Sequence, residues 1–245
     1  MRMLRPAVDV AMTLLLLLSM AWEMVGPSFA WLCERALGVQ LDGYALGAAL
    51  HEWIGTALIL LFLWHLWLNR YWLKNLFKGR YNVTRAVLAL GNVLLIVDVI
   101  FLTVSGVMMS KSLFVDLPIW GGMAFARAAH ILASYWGYVI MSFHVGLYWH
   151  VASAMMFRRP GRGSSEGPSL LRRVLPHAAA LTMMGWGAWA FVKRQIGDYM
   201  FLRSQFVFFD FDEPIGYFLL DYVAVMVLFA CLGHYLILLL RKLKV

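Results

Sequence analysis

The stretch HEWIGTALILLFLWH, residues 51–65, sets a histidine at each end of an otherwise lipid-like run. At about 100° and 1.5 Å per residue, fourteen helical steps return to within roughly 40° of the starting direction and advance about 21 Å. His51 and His65 therefore leave one face of a single helix, near its two ends. A second stretch, HILASYWGYVIMSFH at 130–144, repeats the spacing with His130 and His144.

Outward from these stretches the composition is of one kind. Of 245 residues, 62% are hydrophobic and 14% charged, more apolar than a soluble domain of this size could bury. The chain reads as an all-α integral membrane protein. About 20 apolar residues cross a bilayer as a helix, and six candidates satisfy this, at 6–26, 46–68, 84–109, 126–156, 176–193 and 215–240. Basic residues gather after the second span (Arg70, Lys74, Lys78, Arg80, Arg85), after the fourth (Arg158, Arg159, Arg162, Arg172, Arg173) and in the tail (Arg241, Lys242, Lys244), with Arg2 and Arg5 at the start. With six alternating spans these all fall on one side, which the positive-inside rule makes cytoplasmic, together with both termini. The net charge of +8 thus reports topology and contact with membrane lipids. It does not point to nucleic acid, because the basic residues are split among membrane-flanking loops. The first span has the basic start and small-residue end (Ser28-Phe29-Ala30) of a signal peptide, but its apolar run is longer than a signal core and is expected to be retained.

One span separates the second from the fourth, so these two run parallel, with His51 level with His130 and His65 with His144. Two facing imidazole pairs result, one above the other. A single intramembrane histidine often packs against a neighbouring helix through a hydrogen bond. Four at matched depths are harder to account for that way, since each ionisable group in lipid calls for a partner. Haem iron takes axial ligands from the two faces of a flat macrocycle, and two helices of a bundle can supply one each. Structural zinc would want four clustered ligands. The expected cofactors are therefore two haem b groups, one near each surface, with iron held by His51/His130 and His65/His144.

Other chemistry finds little support. Cys33 and Cys231 are far apart and unsuited to a disulfide, and the absence of C-x-x-C-H excludes covalent c-type haem. The pairs Gly161/Gly163 and Gly185/Gly187 lack the setting of a dinucleotide fingerprint. Asn82-Val83-Thr84 matches a glycosylation sequon, but on the expected cytoplasmic side. The segment RRPGRGSSEGPS at 158–169 marks a linker, so the expected organisation is a four-helix haem-binding bundle over 1–157, a cytoplasmic linker at 158–175 and a two-span unit at 176–245.

On the motifs H-E-W-I-G (51–55) and W-H-L-W-L-N-R (64–70) and the paired histidines of 130–144, the chain from about 6 to 157 resembles the flavinylation-associated cytochrome family. It is also similar in plan to the cytochrome b subunits of respiratory hydrogenases and formate dehydrogenases. The resemblance implies a di-haem cytochrome of the bacterial inner membrane. Such a protein passes electrons between the quinone pool, or a dehydrogenase, and an extracytosolic flavoprotein carrying covalent FMN, or another redox subunit.

Around the ligands, Arg127 lies one turn outward of His130 and Lys111 in the same outer loop, placed to meet propionates of an outer haem; Arg70, Arg80, Arg158 and Arg159 are placed likewise on the inner side. Ordinary topology needs such residues too. Gly55, Gly137, Gly91 and Gly106 could make room for a macrocycle or serve helix packing. Asp98, mid-span, could bond a ligand imidazole, join a proton path or line a quinone site. His150, six residues past His144, is rotated about 120° from the ligand face, and His177 opens the fifth span. His234, in the sixth span without an equally spaced mate, is the other hint of a quinone or a packing residue. The loop FVFFDFDEP (206–214) offers Asp210, Asp212 and Glu213 as a docking patch for an outer partner. Two other functions remain open: a chain that oxidises quinol or reduces an outer metal complex on its own, and a haem-free transporter or scaffold.

Overall fold

The structure is a computed structural model that describes residues 4–119, 121–156, 170–210 and 212–243, and within these leaves out the side chains of 4, 22–25, 152, 154–156 and 170–173. Arg2, Arg158, Arg159, Arg162 and Lys244, the side chains of Arg172 and Arg173, and most of the expected linker lie outside the described residues. The described chain is helical, with no strand: α1 (Leu4–Leu37), α2 (Gly43–Leu68), α3 (Arg70–Asn75), α4 (Val83–Met109), α5 (Met123–Leu147), α6 (Trp149–Met156), α7 (Leu170–Lys193), α8 (Ile196–Met200) and α9 (Ile215–Lys242).

Local chemistry fixes these ends. Asp42 caps α2 by accepting from the backbone N–H of Tyr44 and Ala45 at 3.0 and 3.1 Å. Asn82 caps α4 by accepting from Arg85 N at 2.8 Å, which gives the sequon asparagine a structural task. Pro27 cannot donate to the carbonyl one turn back. There α1 bends, its halves Arg5–Ala21 and Gly26–Leu37 meeting at 79° where the expected first span ends. The expected fourth span is interrupted at Tyr148, which separates α5 from α6.

Three helices, α2, α4 and α9, are long and apolar enough to cross a membrane, and the bent α1 pair would make a fourth. α5 and α7 are also long, at 25 and 24 residues, but carry more polar side chains, among them Arg127, His130, Ser142 and His144 on α5.

Neighbouring long helices alternate in direction. α1 lies antiparallel to α2, Asp9 meeting His65 and Ser19 meeting His51; α4 lies antiparallel to α5, Ser105 meeting His130 and Gly91 facing Leu147. α7 pairs with α9 through Trp186 and Asp221, and α9 runs parallel to α5, with Tyr138 bonded to the Tyr222 carbonyl. The closest approach is at Gly146 and Gly233, whose missing side chains admit the carbonyls of Ala230 and Phe143. The core sits among α5, α7, α8 and α9, around Tyr138, Ile196, Tyr199, Phe218, Tyr222 and Val225. α2 packs chiefly on α1 and touches α4 at few points, so the α1–α2 pair and the α4–α5 pair flank a slot.

Candidate functional site

Into that slot α2 sends His51 and α5 sends His130. Their ring centroids lie 6.1 Å apart, with planes at 70°. An edge-to-face ring pair falls in this range. Two imidazoles bound to opposite sides of one metal, each by a bond of about 2 Å with the ring centre about 1 Å beyond, also stand roughly 6 Å apart.

The hydrogen bonds around the rings fix which nitrogen is free. His51 Nδ1 donates to the Ser19 carbonyl at 3.1 Å. His130 Nδ1 lies 3.0 Å from Ser105 Oγ, whose own proton goes to the Phe101 carbonyl at 2.6 Å, so the hydroxyl oxygen accepts from the ring. In both rings Nδ1 carries the proton and Nε2 keeps its lone pair, the tautomer a metal ligand needs. Beside them, a side chain at Gly55 would meet nothing within 4 Å, and one at Gly106 would touch the His130 ring at 3.5 Å. The donor set and the open face at Gly55 fit a flat group held between the two rings.

The adjoining loop is tied down by Glu52. One carboxylate oxygen accepts from Lys111 N at 2.8 Å; the other accepts from Ser110 Oγ at 2.7 Å and from Ser112 N and Leu113 N at 3.1 and 2.9 Å. Glu52, in the N-terminal half of α2, is thereby joined to the turn that follows α4, beside His51 and His130.

The other histidine pair is built differently. His65 Nδ1 donates to Asp9 Oδ1 at 2.7 Å, and its Nε2 lies 3.3 Å from Asn69 Nδ2. His144 is packed against Tyr148, ring centroids 4.8 Å apart, and its buried Nδ1 has no hydrogen-bond partner among the described residues. His144 interacts electrostatically with His65 and Asp9, but the described residues hold no ring contact between the two histidines. A buried imidazole with an unpaired nitrogen is costly, a cost that coordination of the ring could offset.

Midway between the two levels sits Asp98, 9% exposed, its carboxylate filling the space left by Gly137, seven residues from both His130 and His144. Gly137 thus makes room for Asp98, not for a bound group. His234 lies next to Gly233, which faces Phe143, about two helical turns from the level of Gly137, so the two quinone hints do not converge.

Of the expected propionate partners, Arg70 is drawn over the rings of Trp67 and Tyr71 and donates to the Trp67 carbonyl; Arg127 is exposed. Lys111 contributes its backbone to Glu52. His150 accepts from Arg241 at 3.0 Å.

Sequence reasoning missed one further constellation. Asp221, 1% exposed, accepts from Trp186 Nε1 at 2.8 Å, Lys193 Nζ at 2.9 Å and Arg194 Nε at 2.9 Å; Glu213 pairs with the same two cations at 2.9 and 2.6 Å. Glu213 therefore faces inward, leaving Asp210 and Asp212 as the exposed acids of that loop. A cavity of about 350 Å³ opens beside it, lined by Tyr199, Phe208, Phe218 and Tyr222. The signal was an acid inside an apolar span, together with two adjacent cations at the end opposite the basic loops. No family model, no curated protein and no solved structure matches the chain.

Proposed function

We propose that the chain is a six-span transmembrane electron carrier holding two b haems, one between His51 and His130 and one between His65 and His144. Bound there, haem supplies a reversible one-electron iron couple. The observation that carries the reading is the His51–His130 pair: two imidazoles from different helices, 6.1 Å between ring centres, each with Nδ1 held by a separate acceptor. Ser19 and Ser105 orient the rings and keep Nε2 unprotonated, Glu52 holds the loop over the slot, and the surrounding apolar side chains exclude water. With basic loops inside, the His51 end faces outward, in a bacterial inner membrane. The resemblance to flavinylation-associated cytochromes supplies the partners: the quinone pool or a dehydrogenase on one hand, and an extracytosolic flavoprotein on the other.

A pyridine haemochrome assay on the purified chain tests this. Two haem b per chain are expected, and one for His51→Ala or His144→Ala. A wild-type chain that binds no haem when expressed with ample haem supply would refute the proposal.

A further inference from the structure

The two histidine pairs differ in what their Nδ1 protons meet. His51 and His130 give theirs to neutral oxygens, the Ser19 carbonyl and the Ser105 hydroxyl, at 3.1 and 3.0 Å. His65 gives its proton to the Asp9 carboxylate, at 2.7 Å. A charge-assisted bond is shorter and stronger than a neutral one, and a carboxylate behind a metal-bound imidazole makes the ring a more electron-rich ligand. Such a ligand favours ferric over ferrous iron, which lowers the reduction potential.

Other charges nearby act less directly. Glu52, next to His51, spends its carboxylate on Ser110 Oγ and the backbone N–H groups of Lys111, Ser112 and Leu113, and no hydrogen bond joins it to either ring among the described residues. Arg5, one turn before Asp9, gives its Nη2 to the Leu68 carbonyl at 2.9 Å, and no ion pair joins it to Asp9 among the described residues. Asp98 lies at the level of Gly137, seven residues from each α5 histidine, so it acts on both levels about equally. Asp9 also interacts with His144, so both rings of that pair feel the carboxylate.

Resting on the di-haem reading, we infer that Asp9 is a positioning residue that makes the His65–His144 centre the lower-potential one, so that electrons run from the His65 end towards the His51 end. With the basic loops inside, that direction is from the cytoplasmic face outward, as delivery to an extracytosolic acceptor requires.

Potentiometric titration of the purified, haem-loaded chain, followed at the α-band, tests it. Two midpoints are expected in the wild type. Asp9→Asn should raise the lower one by at least a tenfold change in equilibrium constant, about 59 mV for a one-electron couple, and leave the upper one in place. Asp9→Glu should stay close to the wild type. His51→Ala, which keeps only the His65–His144 haem, should titrate at the lower wild-type midpoint, and this arm decides the matter if Asp9→Asn does not hold its haem. The inference is overturned if Asp9→Asn leaves the lower midpoint unmoved or shifts the upper one, or if His51→Ala titrates at the upper midpoint. A wild-type chain without haem would instead sink the di-haem reading itself.

Discussion

The α1–α2 pair and the α5–α7–α9 assembly divide the molecule into a loosely held side and a tightly held one. Around α5 and α9, backbones touch at Gly146 and Gly233, tyrosines stack in the core, and Asp221 is locked by three donors. α2, by contrast, is apolar nearly all round, buries only Gly47 and Leu68 fully, and reaches the rest of the molecule mainly through α1 and through Glu52. Each proposed haem takes one ligand from each side. α2 itself is held closely on α1, with backbones meeting at Gly26 and Gly43, whereas the α1–α2 pair reaches the α4–α5 side at fewer points, Glu52 among them.

The largest effect should come from breaking the ion cluster. Asp221→Ala would leave Lys193 and Arg194 with Glu213 as their remaining acid and Trp186 Nε1 without an acceptor, at a cost of about 3–5 kcal/mol, the range for breaking a buried pair. Thermal unfolding in detergent should show it as a marked fall in midpoint.

Paired glycine substitutions would sharpen the contrast. Gly146→Ala pushes a methyl into the Ala230 carbonyl and should cost about 1–3 kcal/mol. Gly55→Ala meets open space and should alter thermal stability by no more than about 1 kcal/mol. Equal losses from the two would abolish the distinction between the sides.

Features that depend on local sequence were legible. The positions of α2, α4 and α9 and the shared level of His51 and His130 follow from apolar length and helical period. What escaped depends on which helices meet. Asp9 reads only as an acid near a basic terminus until α1 is laid along α2, and Glu52 reads as one charge in an apolar run until the 110–113 turn wraps it. The break at Tyr148 has no Pro to announce it, and Gly146 two residues earlier reads equally well as a helix-packing residue. Gly137 reads as room for a macrocycle or as helix packing, and its space belongs to Asp98, a relation visible only with α4 and α5 in register.

Glu52→Gln probes the loose side directly. It keeps the shape but loses the charge that gathers four donors, and its amide group would turn a donor toward other donors. The expected outcome is selective: haem per chain falls from two towards one, with the His51–His130 group lost, while the thermal midpoint of the α5–α7–α9 core changes little. A parallel drop in both would mean that the loop is part of the core and that the slot is no looser than the rest.

The smallest effect concerns acid. Hydrogen bonds from Arg194 and then Lys193 hold the Glu213 carboxyl below its ordinary value of 4.5, outweighing the opposing effect of burial. A carboxyl whose folded-state pKa is depressed contributes stability that is fully present above the unfolded value and is lost as pH falls through the folded one. The difference in thermal midpoint between the wild type and Glu213→Gln should therefore be constant from neutral pH down to about 4.5 and shrink below it. Since Glu213 shares both cations with Asp221, which sits deeper, Arg194 and Lys193 can lean on Asp221 once Glu213 is protonated. The loss should be gradual, confined to the tight side, and without effect on haem content; a pH-dependent loss of haem in step with it would show that the ion cluster and the histidine slot are one cooperative unit.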